Sequence, residues 1–491
     1  MLKPLAKGRW DFTTAAHLLN RAGFGGPPAE IAQLLALGPE QAVEHFVDYE
    51  QIADPASAPI WAKPDPTRAD RLREARMAGE EERRKILREE QQNQRQRMLE
   101  LKAWWLHRMA SGPRPFQEKM TLFWHGHFAT SMEKVRDAYL MWQQNELFRR
   151  RATGNWPELL VAVGEDPAML LWLDQAQSRK QHPNENFARE VMELFALGEG
   201  HYTEKDIAEG ARALTGWSYD RLAQKFVERP FLHDYGPKTI FGQTGNFDGR
   251  DFLELIAAQP QAARFITAKL WRFFAGAEPT PALVEELTAE FRRAGLTFKP
   301  LMRTMLLCEE FYAPSIIHNQ VKSPVQWLVG SVRLLERELP PPLVCLALTR
   351  NLGQDLFAPP NVKGWDGGRA WITTNTLLAR YNEAATLVQG DPSVLAGAAL
   401  AGNKGPSPPI LRRLQNARLA AVDVDKLFTE SERSSQDALV AALEKRLLQA
   451  RLKPAQEKVL RDYLAEHEQL NPDIILNAIR LVMSTPEYQL A

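Results

Sequence analysis

Cysteine is almost missing from this chain of 491 residues: Cys308 and Cys345 are the only two. They stand far apart among apolar neighbours, which excludes a disulfide framework and a thiolate metal site and predicts two small buried hydrophobes. An excess of charge of either sign is missing too, since 61 basic residues balance 61 acidic ones. Without a net field there is nothing general to hold a phosphate backbone, so nucleic acid is not an expected partner. No run of about eighteen uncharged apolar residues occurs, so no membrane-spanning helix is expected. Lys3, Lys7 and Arg9 are followed by no apolar stretch of the kind a secretory signal needs, and the chain as written is expected to be soluble and cytoplasmic, or exported if the true start lies upstream.

The familiar catalytic signatures are also absent. The sequence holds no Gly-x-Ser-x-Gly, no His-Glu-x-x-His, no Cys-x-x-Cys and no Cys-x-x-Cys-His. Gly236-Pro237-Lys238-Thr239 imitates a phosphate loop, but Phe231 stands where that loop needs glycine and a proline separates Gly from Lys.

What is present reads as helix. At 44% hydrophobic and 25% charged residues the composition is that of a globular protein, with helical periodicity and short, proline- or glycine-marked connections along most of the chain. The expected fold class is mainly α, a multi-helix, bundle-like domain with a short β-hairpin or loop insertion. Six stretches are expected: an N-terminal helical unit (1–51), a proline-rich linker (52–70), a long charged helix (71–112), a main helical domain carrying the candidate site (113–390), a flexible join (391–421) and a C-terminal helical unit (422–491). Sixteen of the thirty residues from Arg71 to Glu100 are charged. That pattern predicts one long helix whose first half projects into water, either as a solvated element held by i,i+4 ion pairs or as an arm that meets a partner. Between Phe226 and Phe247, Lys225–Leu232 and Lys238–Phe241 flank the turn residues His233 to Pro237 and predict a hairpin or ordered loop. A short echo links Arg303–Tyr312 with Arg480–Gln489, either a trace of a repeat or two similar amphipathic helix ends.

Polar and aromatic groups concentrate between Trp124 and Asp248. His125 and His127 would point about 200° apart on a continuous helix, so they converge on a metal only if Gly126 ends it; otherwise they are structural histidines among aromatics. Asn186, Glu190 and Glu193 fall within about 60° of one another on a helix, where they either face solvent or form an acid/base or cation-binding row. His201 follows a Gly198/Gly200 helix stop, next to a Thr203/Asp206 cap. His233 and Asp234 occupy a turn, as metal ligands or as turn formers. The loop from Asn361 to Trp371 combines glycines, Lys363, Trp365 and Trp371, a composition suited to stacking a sugar or base.

The expected assignments follow. His125, His127, His233 and Asp234 are the candidate ligands of one divalent metal ion of unspecified identity. Glu190, Glu193 and His201 are the candidate proton-handling groups. Asn186, Trp217, Lys238, Lys363, Trp365 and Trp371 are the candidate substrate contacts. Together they describe a metal-dependent, hydrolytic enzyme. The competing reading is a non-catalytic protein that grips a small molecule, glycan or peptide.

Several long stretches carry a family resemblance: HLLNRAGFG (17–25), EKMTLFWHGHFATS (118–131), DPAMLLWLD (166–174), PNENFAREVMELFALGEGHYTEKD (183–206), ARALTGW (211–217), HDYGPKTIFGQTGNFDG (233–249), VKSPVQW (321–327) and NVKGWDGG (361–368). On these the chain resembles the bacterial family catalogued as domain of unknown function 1800. The resemblance implies no catalytic residues. It implies frequent export, and a partner from domain of unknown function family 1501, which resembles sulfatases and alkaline phosphatases.

Overall fold

The structure, a computed structural model, describes residues 2–391 and 419–491. Part of the expected flexible join, including its Gly/Pro-rich stretch, therefore lies outside the described residues. The molecule is mainly α-helical, with two small antiparallel sheets of two strands each among the described residues.

Local chemistry sets most helix boundaries. Asp11 and Thr14 form a reciprocal cap on Phe12–Ala22, Thr203 and Asp206 do the same for Glu204–Ala213, and proline occupies the first turn of Pro115–His127, Pro260–Ala275 and Pro324–Leu334. The charged segment is the exception. It is not one helix but two, Arg68–Met77 and Glu80–Ser111. Ala78 and Gly79 are extended, with ψ of 149° and 166°, and the three glutamates after Gly79 favour a fresh N-terminus through the helix dipole. The first helix folds back on the second, and Arg71 bridges Asp65 and Glu90 (2.5 and 3.3 Å). The exposed pairs Arg84–Glu80 and Lys85–Glu82 lie along the solvated half. The proline-rich stretch before this helical hairpin is strapped to it: Trp104 Nε1 donates to the Ser57 carbonyl (2.8 Å) and Arg108 pairs with Asp54 (2.7 Å).

Two hairpins are formed where one was expected, and the first begins before the expected region of Phe226 to Phe247. β1 (Trp217–Asp220) pairs with β2 (Lys225–Glu228), and β3 (Lys238–Ile240) with β4 (Gln243–Gly245). Asp220 accepts from the amides of Leu222 and Ala223, closing the first turn. Phe241 and Gly242 at φ +47° and +76° close the second. Pro230–Leu232 form a 3-10 turn that keeps β2 from reaching β3.

Two hydrophobic cores organise the described residues. One joins the N-terminal helices to residues 116–316. The other joins Met98–Met109 and Leu140 of the second hairpin helix and its neighbour to Val325–Val388 and to Val422–Tyr488. The C-terminal helices thus share a core with earlier segments. Cys308 and Cys345 are buried in these cores as free thiols, pushed up to about 12 by burial. The Arg303/Arg480 echo has a structural counterpart. Phe298–Leu307 and Pro472–Met483 are each followed by a 3-10 turn, but the antiparallel bridge of the first, Pro4 to Cys308, precedes its turn, and that of the second, Val321 to Leu490, follows it. No described helix is long and apolar enough to cross a membrane.

Candidate functional site

Pro115–His127 runs through Gly126 without stopping, so its two histidines leave the helix on different sides. His125 turns toward Trp105, Phe357 and Trp365, and its Nε2 accepts the amide N–H of Phe357 (3.0 Å). Burial holds it down to about 3, a neutral imidazole that fastens a loop. His127 stacks on Phe123, and its Nε2 lies 2.9 Å from the Phe195 carbonyl, to which it donates. The remaining Nδ1 lone pair accepts from Lys269 Nζ (3.3 Å).

The carbonyls met by these side chains end a helix with an irregular last half. Glu185–Glu190 is α-helical, and Val191–Ala196 continues as a π-helix. Helix C-termini leave carbonyls without intrahelical partners and favour cations. Lys269 Nζ donates to the Leu194 carbonyl (3.0 Å), His127 serves Phe195, and Gln261 serves Leu197 (3.0 Å). Burial and the neighbouring Arg272 lower the Lys269 ammonium to about 8.

The loop from Gly353 to Trp371 closes the site. Gly364, at φ +84°, sits on the carbonyl oxygen of Gly126 so closely that a Cβ would overlap it. This contact locks the segment 124–128 to the segment 361–368. Trp365 is half-buried beside His125, while Trp371 keeps only 8% of its surface exposed. Between loop and helices runs a groove of about 730 Å³, lined by His127, Lys269, Arg272, Lys363, Trp365 and Arg369, with the edge of Trp371. Arg272 is held by Glu278 (2.8 and 2.7 Å). Gln320, on the same wall, donates through Nε2 to the Phe273 carbonyl (2.6 Å), and its buried Oε1 has no partner among the described residues. Glu190 and Glu193 stand close enough to interact. Burial and the Glu193 charge raise the Glu190 carboxyl, against the opposing charge of Lys363. Glu193 also accepts from the Tyr202 hydroxyl (2.9 Å).

The other expected residues belong to a different place. His233 and Asp234 staple the hairpins to the end of Glu204–Ala213. His233 Nδ1 lies 2.7 Å from the Thr215 carbonyl, Asp234 pairs with Arg212 (2.8 and 3.3 Å), and the Asp234 amide donates to the Thr215 hydroxyl (2.9 Å). Lys238 is not a ligand-facing cation: it is buried, with Nζ donating to the carbonyls of Asp234 (2.6 Å) and Gly236 (3.1 Å). Trp217 is 3% exposed, wedged between the backbones of Gly164 and Gly249. Asn186 and His201 are exposed. The four residues expected to share a metal therefore do not meet. His125 has spent its Nε2 lone pair on Phe357, His127 its Nδ1 lone pair on Lys269, and Asp234 its carboxylate on Arg212. Among the described residues no three His, Cys, Asp or Glu side chains come together as a metal site.

Lys269, Arg272 and Gln320 are not among the residues the sequence marks, and Arg369 lies without an assigned role inside the marked loop. Lys269 had a signal: it occupies the apolar face that Ile266 and Phe273 share, where a cation is out of place unless it has a role.

The site thus belongs to a mainly α-helical protein with a basic, aromatic groove between a helix end and a glycine-rich loop. The family model described as "Protein of unknown function (DUF1800)" matches residues 17–490, nearly the whole chain, and the chain belongs to that family. No curated protein and no solved structure matches it.

Proposed function

We propose that the groove binds an anionic, ring-bearing ligand, an acidic sugar unit in the first instance, and that recognition is its primary task. The observation that carries this reading is the Lys269 ammonium, fixed by His127 and Leu194 at the base of the groove with one N–H left over. Lys363 and Arg369 add positive charge from the loop, Trp365 offers an aromatic face, and the unpartnered Gln320 oxygen supplies an acceptor for a hydroxyl. This favours the glycan-binding alternative over the metal-dependent hydrolase. A catalytic reading of the same groove rests on Lys269 alone: an amine lowered to about 8 has a free-base population near neutrality and can take a proton. An anionic ligand also suits an expected partner resembling sulfatases, and co-purification of the two proteins would join them.

The test is calorimetric titration with a glucuronate-containing disaccharide and its neutral glucose counterpart. The acidic ligand is expected to bind at least about tenfold more tightly, a difference of about 1.4 kcal/mol. Lys269→Met should abolish that preference. Affinity for the acid should fall as pH rises through about 8, because the ammonium form is then lost. Equal affinity for both sugars, or an unchanged preference in the variant, would overturn the proposal. Turnover of the ligand during the titration would identify chemistry in the same groove.

A further inference from the structure

A second cavity, of about 960 Å³, lies between the helical hairpin and the body and shares no lining residue with the Lys269 groove. Two ion pairs among its lining residues cross the joint, Arg68 to Asp137 (3.0 Å) and Lys102 to Asp355. Arg68 Nε also donates to the Arg221 carbonyl (3.0 Å), and the Gln94 side-chain oxygen accepts from the Ala138 amide (2.7 Å). The hairpin is thereby held at a fixed stand-off, and the space it leaves is floored by Leu72, Ile86 and Met132.

The charge on its walls is lopsided. Seven cationic side chains meet four carboxylates there, in a chain whose totals balance. Four guanidinium groups, those of Arg95, Arg136, Arg221 and Arg350, have no carboxylate partner among the described residues, although every other cation of the cavity has one. They come from four separate places: the long hairpin helix, the left-handed residue that ends Met132–Val135, the turn between β1 and β2, and the end of Pro342–Asn351. Tertiary folding alone gathers them. Like charges brought together repel, and the planar fork of each guanidinium matches the oxygens of a phosphate or sulfate group.

We infer that this cavity is a binding site for a small ligand carrying two or more phosphate or sulfate ester groups on an apolar or ring framework. Several guanidinium forks take the oxyanions and the apolar floor takes the framework. This site is independent of the function proposed for the Lys269 groove. Free arginines are exposed, so their replacement removes charge without removing packing.

Calorimetric titration of the full chain with inositol hexakisphosphate, inositol hexasulfate and inorganic phosphate tests it. Saturable binding of one hexa-ester per chain is expected, with inorganic phosphate at least tenfold weaker, and the stronger of the two esters identifies the group recognised. The double variant Arg95→Gln/Arg350→Gln should weaken binding tenfold or more, with an unchanged far-UV spectrum and thermal midpoint. Arg83→Gln, an exposed change outside the cavity, should leave it intact. Absence of saturable binding, or an equal loss with Arg83→Gln, would show only diffuse attraction and would overturn the assignment.

Discussion

Tryptophan shows how little a residue's type says about its employment. Trp217 and Trp365 both stand in glycine-bearing, polar stretches, yet one is clamped between two glycine backbones in the first core and the other leans half-exposed over the groove. Trp217→Ala is expected to cost about 3–5 kcal/mol in urea unfolding, as a fully packed indole does. Trp365→Ala should cost well under half of that and instead weaken acidic and neutral sugars alike, a loss read by the same titration that tests Lys269. The histidines teach the same lesson. His125 and His127 are two residues apart in sequence, but one fastens a loop and the other orients a lysine, because an unbroken helix sends them in different directions. Their presence in an aromatic stretch was legible; their partners, Phe357 and Lys269, lie more than a hundred positions away and were not.

At the scale of elements, punctuation was legible wherever chemistry is local. The cap expected from Thr203 and Asp206 is formed and opens Glu204–Ala213. The break at Gly79, the π-helical turn and the split of one hairpin into two were not legible, since each depends on what the segment packs against. The loop 353–371 was marked by its length and glycines, but its docking on Gly126 is a matter of tertiary contact. Gly364→Ala tests that contact. It places a Cβ both in a left-handed backbone and against a carbonyl oxygen, so a loss of about 2–4 kcal/mol in thermal or urea unfolding is expected. Sugar affinity should fall with it as the loop lifts. Gly368→Ala, at φ +53° with nothing within 4 Å of the added Cβ, should show the smaller backbone cost alone, about 1–2 kcal/mol.

For the molecule as a whole, buried arginine ties distant segments together. Arg21 is 1% exposed and donates to the carbonyls of Phe274 (2.9 Å), Ile316 (2.9 Å) and Ala491 (2.7 Å) and to the Asn319 side chain (2.8 Å). It joins the first helix to the last residues of the chain. Arg21→Met would leave these acceptors unpaired in the interior. A loss of about 3 kcal/mol or more is expected, with tryptophan fluorescence and far-UV signal shifting together in urea. A shift confined to one probe would show that the two cores unfold separately.

The sequence alone determined the class of fold, the buried thiols, the absence of a long apolar helix and the family, because periodicity, composition and long motifs are properties of neighbouring residues. It also marked the segments 123–128, 185–196 and 361–371 as places of interest. Only the tertiary structure decided that these three meet while His233, Asp234, Lys238 and Trp217 serve a hairpin elsewhere. Convergence across more than two hundred positions depends on which helix faces pack, and that is settled by the burial of the whole apolar surface at once.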